Sequence, residues 1–498
     1  IRDRDWASLY EVLKKAPAKK VIDFISDEVF NFIKEKINLN KNEISLFTLC
    51  VDDILLVQNP EYKEYIYNSL IEEVFSDTIE GTCHLCGENK KITSDTTRFW
   101  FKFYMTDKLG FSSNFLGDKG FIKNYALCKN CYEKIIVAEA FIRNNLSSYL
   151  SGYSVYIIPS LHLGSSIPVK KIEGWAEYFK GKFNAISRLK DWHEFQKKLE
   201  DYFEYQELQD YFMLNFLFAE KKQSAFKVHQ LIQDVPPSRL DELLIKNAEI
   251  NDLAAEVFEG SRDWYLSLEK MFYLFPMSKT KEKRSKFILQ LYNSLFTGLP
   301  VSYTVIIKQF VKRIYEMRFE KNYDDFAFCW NILHQGLLLY YLKQLELLKG
   351  GNFMGINLDE FPLSENIKKF LKESQYSEQM LSLFLLGCTI GKIGKVQHDK
   401  GDKKKSILNK INFLGMDLNK ILRLFNEVYE KMRQYKVLSS EAEKVYGLSK
   451  LLFDKCKNTW NLTPQENVFY ILSGYAFTTY KVITSSKQKE ETKEEIKK

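Results

Sequence analysis

Two Cys-x-x-Cys pairs, Cys83-His84-Leu85-Cys86 and Cys128-Lys129-Asn130-Cys131, constrain this chain more than any other feature. Each pair presents two sulfurs from one tight turn. Two such knuckles close a tetrahedral four-thiolate shell around Zn2+, and residues 87–127 need only bring them together. Gly87 suits the turn after the first knuckle, and the run from Tyr132 to Asn145 after the second has helical character. Redox dithiols are the alternative reading of such pairs. A closed four-cysteine shell keeps no coordination position open, so its zinc is structural and leaves function undecided.

At 498 residues the chain exceeds what one core can organise, and about two to four domains are expected. Hydrophobic residues make up 45% and aromatic residues 15%, enough for large cores and for base-stacking surfaces alike. The net charge of +7 points to a polyanionic partner only where it is clustered. Cys50, Cys329, Cys388 and Cys456 are scattered without pairing spacing, which fits a reducing cytoplasm. No signal peptide is expected, and because the chain opens at Ile1 rather than Met its true start is expected upstream. The longest apolar run, Met380 to Ile390, is too short to cross a bilayer and is closed by Lys392. A cytoplasmic protein without a membrane partner is expected.

Periodicity divides the chain into four stretches, and the fold class it predicts is mainly α. Apolar residues recur every three or four positions across Val21, Phe24, Ile25, Val29 and Ile33, as on an amphipathic helix. Between the knuckles the period changes. Arg98-Phe99-Trp100-Phe101-Lys102-Phe103-Tyr104 suggests strands, and Gly110, Gly117 and Gly120 punctuate a loop from Lys108 to Lys123. Tyr153 to Ile158, ended by Pro159, reads as a further strand. Residues 1–165 are therefore expected to form an α+β domain carrying a zinc ribbon over 83–131. Residues 166–350 read as an α-helical middle region with breaks at Pro236-Pro237, Pro276 and Gly298-Leu299-Pro300, ending at Gly350-Gly351. Residues 363–485 read as a C-terminal bundle of four or five helices, and 486–498, a mixture of Lys and Glu, as a disordered tail.

Two helix starts carry capping boxes, Thr463-Pro464-Gln465-Glu466 and Ser440 with Glu443. Gly387, Gly391 and Gly394 recur at i, i+4 and i+7, so on a helix they would form a groove admitting a second helix closely. Positive charge gathers in three places. Lys279, Lys281, Lys283, Arg284 and Lys286 follow Pro276; Lys308, Lys312 and Arg313 are expected on one helical face; and residues 391–410 hold seven lysines against two aspartates. In the last stretch, Lys392, Lys395, Lys403, Lys404, Lys405 and Lys410 are the candidate phosphate ligands. Solvated helix faces are the plainer account of the first two clusters.

Catalytic motifs fail one by one. Gly387 to Lys392 is one residue short of a phosphate-binding loop, and Ile393 replaces the Ser/Thr that would hold magnesium. His398-Asp399 is a bare dipeptide in a Gly- and Lys-rich stretch, without the further His and Asp ligands of a metal phosphohydrolase. His162, His193, His229 and His334 stand in apolar or mixed contexts and read as packing residues. No catalytic residue is nominated, and a non-enzyme is expected.

The stretches Leu385 to Gln397, Ile407 to Met416 and Glu466 to Tyr475, together with the paired Cys-x-x-Cys knuckles, resemble the large subunit of the type I-B CRISPR Cascade effector complex. This resemblance implies a non-catalytic scaffold that binds crRNA and double-stranded target DNA with its displaced strand. It also implies recognition of the protospacer-adjacent motif, contact with other Cascade subunits, and recruitment of a helicase-nuclease. The C-terminal bundle is similar to Cascade small subunits. Such a scaffold needs a basic, sequence-blind surface and one short duplex-reading loop. The lysine clusters suit the first, and Asn114, Lys119 and Lys123 are the candidates for the second. The rivals are a zinc-ribbon RNA-processing or nuclease enzyme and a purely protein-binding helical scaffold.

Overall fold

The computed structural model describes residues 18–37, 50–51, 53–102, 112, 120–161, 172–188, 212–222, 225–258, 264–277, 286–321, 323–351, 353–359, 361, 363–402 and 406–495. Two packed units divide the chain, residues 1–99 with 104–136 and residues 100–103 with 137–498.

In the first unit come helix α1 (Ala18–Ile37), the small hairpin β1 (Cys50–Val51) and β2 (Ile54–Leu55), and helix α2 (Pro60–Tyr67). The start of α2 follows from its sequence. The Asn59 side chain accepts the N–H groups of Glu61 and Tyr62 at 2.9 and 3.2 Å, and Pro60 stands at the first helical position, where its missing N–H costs nothing. Strands β3 (Ile79–Thr82), β4 (Asn89–Thr93) and β5 (Leu127–Cys128) form an antiparallel ribbon in that order. Helix α3 (Gly120–Asn124) leads into β5 and helix α4 (Lys129–Asn145) leaves it. Ile71, Val74, Ile92, Phe99, Leu127 and Tyr132 form the core around the cysteines.

The strands expected over the aromatic stretch are absent from residues 98–102, which form turns and bends. Their backbone is taken up by a side chain instead. The Glu139 carboxylate accepts the N–H groups of Trp100 and Phe101 at 2.8 and 3.0 Å, and burial raises its pKa against the pull of those bonds.

The second unit opens on an antiparallel meander of four strands, β6 (Ser147–Leu150), β7 (Tyr153–Leu161), β8 (Phe212–Lys222) and β9 (Ala225–Val235). The last two correct the expectation of helix throughout 166–350, and they carry one sheet across residue 165. On β8, Phe212, Leu214, Phe216 and Phe218 face the main core, while Leu217 and Ala219 pack with Phe101 and Tyr156 on the other side. A strand buried on both faces shows no polar alternation, so its sequence does not announce it. Strand β7 also runs through Pro159 rather than stopping there. The N–H of Ile157 bonds to the carbonyl of Leu146, and Pro159, two residues on, turns its missing donor the same way, beyond the start of β6.

The remaining helices are α5 (Ile172–Ser187), α6 (Pro237–Phe258), α7 (Leu268–Tyr273), α8 (Lys286–Thr297), α9 (Tyr303–Tyr315), α10 (Asp325–Gln344), α11 (Glu365–Ser374), α12 (Glu378–Asp399), α13 (Leu418–Gln434), α14 (Ser440–Cys456) and α15 (Pro464–Glu495). A short parallel pair, β10 (Val301–Ser302) and β11 (Leu348–Lys349), ties the α8–α9 turn to the end of α10. The capping box at α15 forms as expected, with Thr463 N–H donating to Glu466 Oε2 at 2.6 Å and Glu466 N–H to Thr463 Oγ1 at 3.3 Å. At α14 the cap is one residue earlier than expected, since Ser439 accepts the Ala442 N–H. Helix α15 also runs to Glu495, through most of the stretch expected to be disordered, where Lys, Glu and Gln favour helix.

The glycine groove is real, and α15 fills it. A Cβ on Gly387 would lie 1.9 Å from the carbonyl oxygen of Ile471, and one on Gly474 would lie 1.8 Å from that of Phe384. Backbone therefore meets backbone where α12 crosses α15. Ser382 and Ser449 close the α12–α14 contact by each donating its hydroxyl to the other's carbonyl at 2.8 and 2.7 Å. Helix α12 is the one helix among the described residues long and apolar enough to span a membrane, and 83% of its apolar window is buried within the protein.

Candidate metal centre and nucleic-acid interface

The two knuckles converge. All four sulfurs, from Cys83, Cys86, Cys128 and Cys131, lie within 4.8 Å of one another, with Cys86 and Cys128 3.9 Å apart. Sulfurs at about 2.3 Å from a central zinc would stand about 3.8 Å from each other, so the set fits a tetrahedral Zn2+. Among the described residues these cysteines form the one group of three or more metal-ligating side chains.

Local backbone geometry makes the site. Gly87 turns at φ +75° and donates its N–H to the Cys83 carbonyl at 2.8 Å, which closes the first knuckle. His84 then joins the two knuckles. Its N–H donates to the Ala126 carbonyl at 2.9 Å, and its Nδ1 accepts the Ala126 N–H at 2.8 Å. The Cys128 N–H points at Cys83 Sγ, 3.3 Å away. Burial works against ionisation of Cys83, but N–H groups of Cys128, Cys86 and Leu85 outweigh it and bring the thiol down to about 6. At Cys131 burial, followed by the neighbouring sulfurs, pushes the thiol up to about 12. Four thiols this close cannot all ionise without a cation among them, and a divalent metal supplies that charge. His84 was visible inside the first knuckle but carried no signal for its clasping role, because its partner Ala126 lies 42 positions away.

The candidate phosphate ligands separate into several settings. Lys392 and Lys395 lie on α12, and Lys410 ends the short turn Ser406–Lys410. Lys395 is exposed, whereas Lys392 pairs with Glu441 of α14 at 3.0 Å and Lys410 with Glu427 of α13 at 3.5 Å. Part of the lysine excess is thus neutralised by carboxylates that sequence spacing could not bring near. Lys308 and Lys312 are exposed on α9, but Arg313 is not on their face. Five residues of helix turn it about 140° from Lys308. It is buried, donating to the Tyr273 carbonyl at 3.1 Å, and so leaves the candidate surface. Lys123 is exposed on α3. Lys281, Lys283, Arg284, Lys403, Lys404, Lys405, Asn114 and Lys119 lie outside the described residues. One basic grouping was missed altogether: Arg143 and Lys221 stand 3.7 and 2.9 Å from the ring centre of Trp100. It depends on β8, which the sequence did not reveal.

Among the described residues the histidines do not build a reactive centre. His398 and Asp399 are exposed, 3.8 Å apart. His334 is buried between Trp264 and Trp330, its ring centre 4.9 and 3.7 Å from theirs, and burial, followed by Lys270, lowers its pKa to about 3. His229 packs on Tyr153, while His162 and His193 lie outside the described residues. Gly387 to Lys392 is interior to α12, which excludes a phosphate-binding loop there.

Residues 80–235 match the central domain, and residues 266–490 the C-terminal domain, of the family described as CRISPR-associated protein TM1802. The chain belongs to this family. The TM1802 central-domain match begins just before Cys83 and takes in both knuckles and the whole meander, and the C-terminal match takes in α7 and most of α15. The resemblance to type I-B Cascade large subunits is thereby borne out. No curated protein matches the chain.

Proposed function

We propose that this chain is the non-catalytic large subunit of a cytoplasmic RNA-guided CRISPR surveillance complex. It binds crRNA, target duplex and displaced strand, reads the protospacer-adjacent motif, contacts the other Cascade subunits and recruits the helicase-nuclease. The observation that carries the reading is the TM1802-family match across both the cysteine ribbon and the C-terminal bundle. Physical chemistry supports the division of labour. Base pairing with a guide reads sequence, so the protein contributes charge along the backbone and one small reading element. Exposed Lys308, Lys312 and Lys395, together with Lys403 to Lys405, would supply the charge, and Asn114, Lys119 and the α3 residue Lys123 would supply the reading element. The four cysteines would hold a structural Zn2+ in the ribbon that this stretch of chain enters.

The test is a tagged pull-down from the source cell followed by nucleic-acid extraction and mass spectrometry. Short RNAs of uniform length with repeat-derived ends, co-purifying with several further subunits, are expected. Capture of the protein without RNA or subunits would refute the assignment. Labelled RNA and DNA incubated with the purified chain and divalent metal should remain intact, and cleavage that depends on a particular Asp or His would overturn the non-catalytic role.

A further inference from the structure

A cleft of about 360 Å³ opens between β9, α8 and the first turn of α9. Its chemistry is unusual for a surface hollow. Three amide side chains, Gln230, Gln290 and Asn293, and the hydroxyl of Ser302 line it beside the apolar Leu299 and Val305. None of the amides engages another side chain among the described hydrogen bonds, and Ser302 stands at the N-cap of α9 without capping it. Leu299 and Val305 are 54% and 42% exposed, so the apolar wall faces water.

The cleft is also preformed. Gly298 at φ +77° and Pro300 fix the turn, and the Val301 N–H bonds to the Leu347 carbonyl at 2.7 Å where β10 meets β11. Helical spacing then sets cations at its borders. Lys286, Gln290 and Asn293 follow at i, i+4 and i+7 on α8, and Val305, Lys308 and Lys312 at i, i+3 and i+7 on α9, with all three lysines exposed.

We propose that this cleft receives one unpaired nucleobase of a single-stranded nucleic acid, its phosphates held by Lys286 and Lys308. The inference rests on the nucleic-acid role proposed above and names a site for it. Amide groups present donor and acceptor side by side, the complement of a base edge, and the Leu299–Val305 wall offers an apolar face to the ring. A duplex cannot deliver its bases to such a hollow, so the ligand is single-stranded.

The experiment measures affinity of the full-length chain for fluorescent 15-mers, base-bearing and abasic, in deoxy and ribo forms. Wild type is expected to prefer base-bearing strands about tenfold, within the range of one captured base. Gln290→Ala with Asn293→Ala should abolish the preference and leave abasic affinity unchanged. Leu299→Ala, at an exposed position where substitutions usually change stability little, should reduce it. Lys286→Ala with Lys308→Ala should weaken both strand types alike. The deoxy and ribo arms assign the site to displaced strand or guide by whichever shows the preference. Equal wild-type affinity for base-bearing and abasic strands, or an unchanged preference in the amide variant, overturns the cleft while leaving backbone binding standing. No binding to any strand overturns both proposals.

Discussion

Replacing Gly474 by alanine tests the packing at the centre of the C-terminal bundle. Two effects of opposite sign compete. In a helix interior alanine is favoured over glycine by about 1 kcal/mol. Against this, the new Cβ would lie 1.8 Å from the Phe384 carbonyl oxygen and 3.0 Å from the Cys388 nitrogen, both backbone atoms that cannot rotate away. Relief to an ordinary carbon–oxygen contact of about 3.3 Å requires α12 and α15 to part by roughly 1.5 Å. That separation loosens the contacts of Leu386, Ile390, Ile471 and Tyr475, all fully buried. Overpacking a tight core costs about 1–3 kcal/mol and sometimes more, and a rigid backbone clash belongs at the upper end. A net loss of about 2 kcal/mol is expected, or roughly 2–3 °C in melting temperature for a unit of this size. Gly447→Ala is the matched control, because it lies within α14 and its Cβ would meet nothing within 4 Å. It should stabilise by up to about 1 kcal/mol. The assay is thermal unfolding of the full chain by circular dichroism and calorimetry, wild type beside both variants. If Gly474→Ala melts at or above wild type, the close helix approach is wrong.

Elemental analysis should give about one zinc per chain without iron-sulfur absorbance, and Cys83→Ser or Cys128→Ser should lose the metal and unfold the ribbon while the helical signal of the second unit persists; metal-free protein purified without chelator would count against the centre. His84→Ala keeps every ligand but removes the Nδ1 acceptor for Ala126, so zinc should exchange about 10–100-fold more readily to a chromophoric chelator, and an unaltered rate would show that the clasp does nothing for the metal. Neutralising Lys403, Lys404 and Lys405 should weaken binding of the assembled complex to every target alike and reduce the salt slope by about two logarithmic units; equal slopes would make these lysines a solvated face. Glu441→Gln should release Lys392 and raise single-strand affinity at low salt, an effect that should vanish in Lys392→Ala.

The sequence by itself determined what depends on neighbours in the chain. The knuckle turns need only Cys-x-x-Cys and a glycine, the start of α15 needs only Thr463 and Glu466, and the glycine spacing in α12 already described a groove, because three or four residues of helix fix which side chains share a face. It was equally able to reject a phosphate-binding loop, since loop and helix have different local requirements. Tertiary structure decided the rest. Strand β8 was hidden because both of its faces are buried, so from Phe212 to Ala219 only Asn215 interrupts an apolar run that is equally consistent with helix. Arg313 turned inward to donate to the carbonyl of Tyr273, forty residues away, which it shares with the Asn331 side chain. Glu427 and Glu441 reached Lys410 and Lys392 only through the packing of α13 and α14, and the amide-lined cleft draws on β9, α8 and α9 together. Charge partners and hollows are properties of surfaces that meet in space, and residue spacing carries no record of which surfaces will meet.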